Sequence, residues 1–165
     1  MPAEKQSTQS KDRQALNLIL VPTDASPGAE PALRWAATLA NISNADTVLL
    51  HVLDFLTPAL AAATPQMEME MGVLIADQFI QQARDEANAT IARLASELPR
   101  AKTIIRDGRP RDVILEVAAE VHADLIVMGT HGRTGLAHML LGSVAEHVVR
   151  YSRIPVLTVR QTEAS

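Results

Sequence analysis

Short uninterrupted apolar runs, separated by segments of helical period, constrain this chain more than any other feature. Leu16 to Thr23 (LNLILVPT) is too brief for a helix and too continuous for a strand with one wet face, so it predicts a buried parallel strand. Thr47 to Leu53 (TVLLHVL), Asp124 to Met128 (DLIVM) and Ile154 to Val159 (IPVLTV) have the same character, and Ala101 to Arg106 (AKTIIR) is a weaker fifth strand. In the first interval Leu33, Ala36, Ala37 and Ala40 fall on one helix face, with Ser26 as N-cap and Pro27 at the first helical position. A second helix is predicted from about Met67 to Leu98, a third around Val113, Ile114, Val117, Ala118 and Val121, and a fourth from Gly142 with Val144, Ala145, Val148 and Val149 inward. Alternating strands and helices predict an α/β fold: a three-layer, doubly wound, five-stranded parallel sheet with right-handed crossovers and helices on both faces.

A chain of 165 residues is long enough for one such domain, assigned to 15–161, and too short for two. Residues 1–14 read as a polar, disordered N-terminal tail without an apolar signal region. The absence of cysteine removes disulfides and thiolate metal sites, and no apolar run is long enough to span a bilayer. The expected location is cytoplasmic, with no membrane partner. A formal charge of −4 and an aromatic content of 2% argue against nucleic acid as a partner, because phosphate neutralisation needs a basic surface and base stacking needs rings.

Ligands of doubly wound sheets sit beyond the carboxyl ends of the strands, where the winding reverses. The first strand ends in Val21, Pro22, Thr23, Asp24. Asp24 either hydrogen-bonds ribose hydroxyls or a base amino group, or helps to cap the first helix. The fourth strand ends in Met128 and enters Gly129, Thr130, His131, Gly132, Arg133, Thr134, Gly135, with Gly142 and Ser143 at the next helix start. Glycines there let backbone amides approach a ligand, and Ser143 with the first amides of the helix suits phosphate. Neither GxxxxGK[ST] nor a GxGxxG after the first strand is present. Without a P-loop lysine, amides, Ser143, Arg133 and a bound Mg2+ would meet the phosphate charge, an arrangement for binding rather than fast phosphoryl transfer.

The spacing Gly129, two residues, Gly132, nine residues, Gly142-Ser143 resembles the G-x2-G-x9-G-[ST] signature of universal stress proteins. Ile19 to Ser26 resembles the family's opening strand, Gly108-Arg109-Pro110 its turn into the third helix, and Ile154 to Val159 its closing strand; the likeness runs from about Leu16 to Arg160. It implies strand order 3-2-1-4-5, with Asp24 and Gly129 side by side. It further implies that Pro22, Thr23 and Asp24 line the adenine and ribose side, that Val52 touches the base through its backbone, and that Met128 and Gly129 approach the ribose. Gly132, Arg133, Gly142, Ser143 and Val144 would surround the phosphates. ATP, with Mg2+, is the implied ligand, and a homodimer through Ile154 to Val159 the implied assembly. In the order 3-2-1-4-5, Ile154 to Val159 is an edge, apolar with only Pro155 to blunt it, which favours such pairing.

Other candidates weigh less. His51, His122, His131, His138 and His147 lack HExxH spacing, and no metal site is expected. His51 reads as a core or semi-core residue, and Asp85 and Glu86 as solvated surface. Met67, Met69 and Met71 read as a frayed helix start or a flap, and Arg106, Arg109 and Arg111 as surface charge or a distal phosphate contact. No catalytic residue is expected, because the glycine loop holds no evident general base for water. The expected function is a nucleotide-dependent stress-response regulator or sensor, with at most slow ATPase or autophosphorylation. The alternatives are a non-nucleotide-binding structural dimer module and, with less support, an adenylating α-hydrolase-like enzyme.

Overall fold

The computed structural model describes residues 15–54, 72–130 and 141–161. In it the apolar runs form β1 (Leu18–Thr23), β2 (Asp46–Leu53), β3 (Ala101–Asp107), β4 (Leu125–Gly129) and β5 (Val156–Val159). All pair in parallel, in the order β3-β2-β1-β4-β5. Helices α1 (Glu30–Ser43), α2 (Gly72–Ala95), α3 (Pro110–Glu120) and α4 (Ser143–Tyr151) fill the intervals. This is the doubly wound sheet expected from the sequence.

The continuous apolar character of β1 follows from burial on both faces. Ile19 and Val21 pack with α1 and α2, and Leu20 packs with α3 and α4, all three at 0% exposure. Each such side chain contributes about 1.5–3 kcal/mol relative to exposure. Ala32, Ala36 and Ala40, one turn apart on α1, are buried against the first face, and their small side chains let the helix lie close to the sheet. On the second face Val113, Val117, Ala145 and Val148 cover Leu20, Leu50 and Ile126. The amino-terminal edge is closed by Asp124, whose carboxylate accepts from the amides of Asn17 and Leu18 at 2.8 and 2.9 Å.

Boundaries differ from the sequence reading in identifiable ways. Pro27–Ala29 is a 3-10 turn and α1 begins at Glu30. Pro31 has no N–H to give the carbonyl of Pro27, so the α-helical ladder cannot reach back that far. The Ser26 hydroxyl caps neither element but donates to Asp24 Oδ1 at 2.7 Å. α2 ends at Ala95, after which the amides of Ser96, Glu97 and Leu98 bond three residues back in tight turns. β5 begins at Val156; Pro155 contributes only its carbonyl, to the amide of Ile126 at 2.9 Å. The expected tail at 1–14 and the Met67 to Met71 segment lie outside the described residues.

Candidate functional site

A proline in the central strand opens the site. Successive residues of a parallel strand present their backbone groups alternately to the two neighbours. Asn17 gives its carbonyl to Asp46 on the β2 side, and Leu18 gives its carbonyl to Asp124 on the β4 side. Pro22 therefore faces β4, where it has no N–H to offer. The β1–β4 ladder pairs Ile19 with Leu125 and Leu20 with Ile126 and goes no further, whereas β1 and β2 stay paired to Thr23 and His51. A cleft of about 350 Å³ lies beyond the end of this pairing, at the carboxyl edge where the winding reverses.

One wall is the corner leaving β1. Ala25 has φ 59°, a left-handed conformation unusual for a residue with a Cβ. Two local hydrogen bonds brace it there. Its amide donates to Thr23 Oγ1 at 3.0 Å, and the amide of Ser26 donates to Asp24 Oδ1 at 3.0 Å. Asp24 thus lines the cleft and also fixes the chain's entry into the following turn, so both readings of this residue apply. Asp54, one residue past β2, places a second carboxylate in the lining.

The facing wall is built of helix starts. Pro110 and Ile114 of α3, and Ser143, Val144 and Ala145 of α4, line the cleft beside Gly129, Thr130 and Gly142. Gly142 is the N-cap of α4, with φ −70° and ψ 157° and no side-chain cap. Its own amide donates to the carbonyl of Thr130 at 2.7 Å, and its carbonyl accepts the first helical bond, from Glu146. The amides of Ser143, Val144 and Ala145 have no helical acceptor, by the geometry of a helix start. They make a partial positive end suited to an anion. The conformation of Gly142 is open to any residue; what glycine adds is the absence of a Cβ beside that helix end. Pro22, Leu50, Val52, Ile114 and Met128 give the cleft an apolar floor. The arrangement can hold a flat apolar group on the floor, hydroxyls near the carboxylates and an anionic group at α4.

Among residues singled out in the sequence, Pro22, Thr23, Asp24, Val52, Met128, Gly129, Gly142, Ser143 and Val144 all line this cleft. Gly132 and Arg133, with His131, lie outside the described residues. Ala29, Leu50, Asp54, Pro110, Ile114, Thr130 and Ala145 join the lining without having been predicted there. Leu50 was readable from Val52, since residues two apart share a strand face, and Asp54 stands past β2 as Asp24 stands past β1. Arg106 pairs with Glu120 at 2.9 Å across the end of β3, so it serves the surface rather than the cleft. His51 is buried, as expected of a core residue, while His147 does not line the cleft and lies 3.7 Å from Asp112, its ring tilted against that of Tyr151 at 4.5 Å. No cluster of three metal-ligating side chains occurs among the described residues. Nor is any described helix long and apolar enough to cross a membrane.

Comparison with known proteins points in one direction. A family model for the universal stress protein family matches residues 16–160. Universal stress protein MJ0577 of Methanocaldococcus jannaschii is 32% identical over 155 residues, covering 87% of this chain and 94% of that one. A solved structure of MJ0577 superposes with a TM-score of 0.71 at 30% identity, over 91% of this chain and 99% of the other. A universal stress protein solved in complex with cAMP gives a TM-score of 0.57 at 28% identity, over 90% and 99%.

Proposed function

The chain belongs to the universal stress protein family, and from that premise we propose that it binds an adenine nucleotide, ATP in preference, in the cleft between β1 and β4. It acts on this reading as a stress-response regulator in the cytoplasm, a homodimer whose shape or partner choice follows nucleotide occupancy. The observation that carries the proposal is the start of α4: an uncapped helix end, approached over a glycine whose backbone does not require one, at the open end of an apolar cleft.

The residues present fit the group. A base would lie on Val52, Leu50 and Met128, a ribose near Asp24 and Gly129, and phosphates at Ser143 and the amides of Ser143 to Ala145. The relative holding cAMP supports an adenine ligand of this kind. Mg2+ would be held chiefly by the phosphates, as this ion commonly is. Gly132 and Arg133 complete the phosphate side on this reading. The carboxylates of the lining, Asp24 and Asp54, stand past β1 and β2 rather than at the α4 start where the phosphates would lie, so on this reading any hydrolysis is slow. The turn after β1, PTDASPG, has neither a HIGH-type nor an SGGxDS-type sequence, which weighs against an adenylating enzyme.

Equilibrium dialysis of nucleotide-stripped protein tests the reading. ATP with magnesium is expected to be retained saturably, to be displaced by ADP or AMP and poorly by UTP, and to turn over more slowly than about 1 s⁻¹, the low end for ordinary enzymes. Absence of retention would favour the structural dimer module, and faster turnover would favour an enzyme.

A further inference from the structure

His51 lies on the face of the sheet away from the cleft. Val48, Leu50 and Val52 pack with α3 and α4, whereas Leu49 packs with α1 and α2, so strand alternation places His51 on the α1–α2 side. It is a titratable side chain with only 7% exposure, and nothing in the proposed binding chemistry uses it. Its Nδ1 is 2.8 Å from the carbonyl oxygen of Thr23. A carbonyl can only accept, so Nδ1 carries the proton and donates. That carbonyl belongs to the peptide joining Thr23 to Asp24, at the point where β1 gives way to the strained Ala25 corner.

We propose that His51 is a positioning residue for the cleft, locking the Thr23–Asp24 peptide from behind the sheet so that the Asp24 carboxylate and the Ala25 turn hold their binding geometry. At the corner the bonds from Ala25 to Thr23 Oγ1 and from Ser26 to Asp24 Oδ1 are short and local, and can rotate together with the peptide they join. The His51 bond links residues 28 positions apart and ties the same peptide to β2, which is rigidly paired on both sides. A left-handed alanine persists only where its surroundings over-determine it, and His51 adds a non-local side-chain bond to that constraint, on the carbonyl at the end of the β1–β2 ladder. The effect on ligand binding rests on the nucleotide reading above; the effect on the corner does not.

The test compares His51→Leu, which removes the donor, with His51→Asn, whose side-chain N–H₂ can stand where Nδ1 stands. Two readouts are taken on the full chain: ATP affinity with magnesium, and amide hydrogen exchange of Ala25 and Ser26 relative to core amides such as Leu20. The expected result is a roughly tenfold or greater rise in ATP Kd, with faster exchange at Ala25 and Ser26 beyond any change at Leu20, in His51→Leu. His51→Asn is expected to restore both to near the parent values. Exchange at Ala25 and Ser26 that merely follows Leu20, or an ATP Kd unchanged in His51→Leu, would overturn the proposal. Should the parent protein fail to bind ATP, the nucleotide reading falls by itself, and the exchange pattern alone decides whether His51 holds the corner.

Discussion

At Ala25, one residue past the cleft-lining Asp24, the chain accepts a conformation that costs an L-residue about 1–2 kcal/mol. Glycine would relieve that strain, at the cost of a more flexible unfolded chain, about 0.4–1 kcal/mol, and of the methyl group's packing against the α1–α2 core. Ala25→Gly is therefore expected to leave stability unchanged or raise it by up to about 1 kcal/mol, read from the urea midpoint at constant slope. A loss greater than 1 kcal/mol would show that the Ala25 methyl group makes a contact worth more than the strain. Gly108 shows the opposite case. Its φ of 135° and a would-be Cβ 2.9 Å from Val113 require glycine for both conformation and space. The sequence showed the glycine in GRP but could not show that Ala25 is left-handed, because nothing in PTDASPG marks an alanine for that region. The roles of Asp24 stayed open for a similar reason: a carboxylate after a strand is compatible with capping and with ligand contact, and here it lines the cleft while accepting from Ser26.

Elements differ in how they manage exposed edges. β3 carries Lys102, Thr103, Arg106 and Asp107 exposed, charges that discourage pairing with another chain. β5 is VLTV without a charge. The carbonyls of Pro155 and Val159 accept from β4, so residues 155, 157 and 159 face inward and Val156 and Thr158 turn their backbone groups to the open side. Thr158→Pro removes an outward N–H while leaving the bonds to β4. If two chains pair through β5, sedimentation velocity at micromolar concentration is expected to show a dimer for the parent and a monomer for Thr158→Pro, both folded by circular dichroism. A parent monomer, or a variant that stays dimeric, would remove β5 from the assembly. Element type was legible because buried strands and alanine-faced helices differ in period; element ends were not. Pro31 delays α1 and Pro155 shortens β5, effects that depend on which hydrogen bond each missing N–H would have made.

Across the molecule, the reversal of winding between β1 and β4 places the site, and one proline limits the pairing there. Pro22 lies in a strand buried over most of its length, and its missing donor falls on the β4 side, where the β1–β4 pairing has ended and the apolar floor lies. The sequence revealed the alternation, the glycines of the fourth loop and the carboxylate after β1, and the strand order followed from the family resemblance. It did not show that α3 contributes Pro110 and Ile114 to the same wall, because that contact depends on how the crossover from β3 brings α3 onto the face shared with α4. The central claim is that the uncapped end of α4 receives a nucleotide phosphate across Gly142. Calorimetric titration of the parent and of Gly142→Val with ATP and magnesium tests it most directly. The backbone at Gly142, φ −70° and ψ 157°, is one that valine adopts readily, so the variant should fold while a branched side chain crowds the helix start. The account predicts saturable binding by the parent and at least a tenfold loss of affinity in the variant. Equal affinity in both would place the phosphate elsewhere and contradict it.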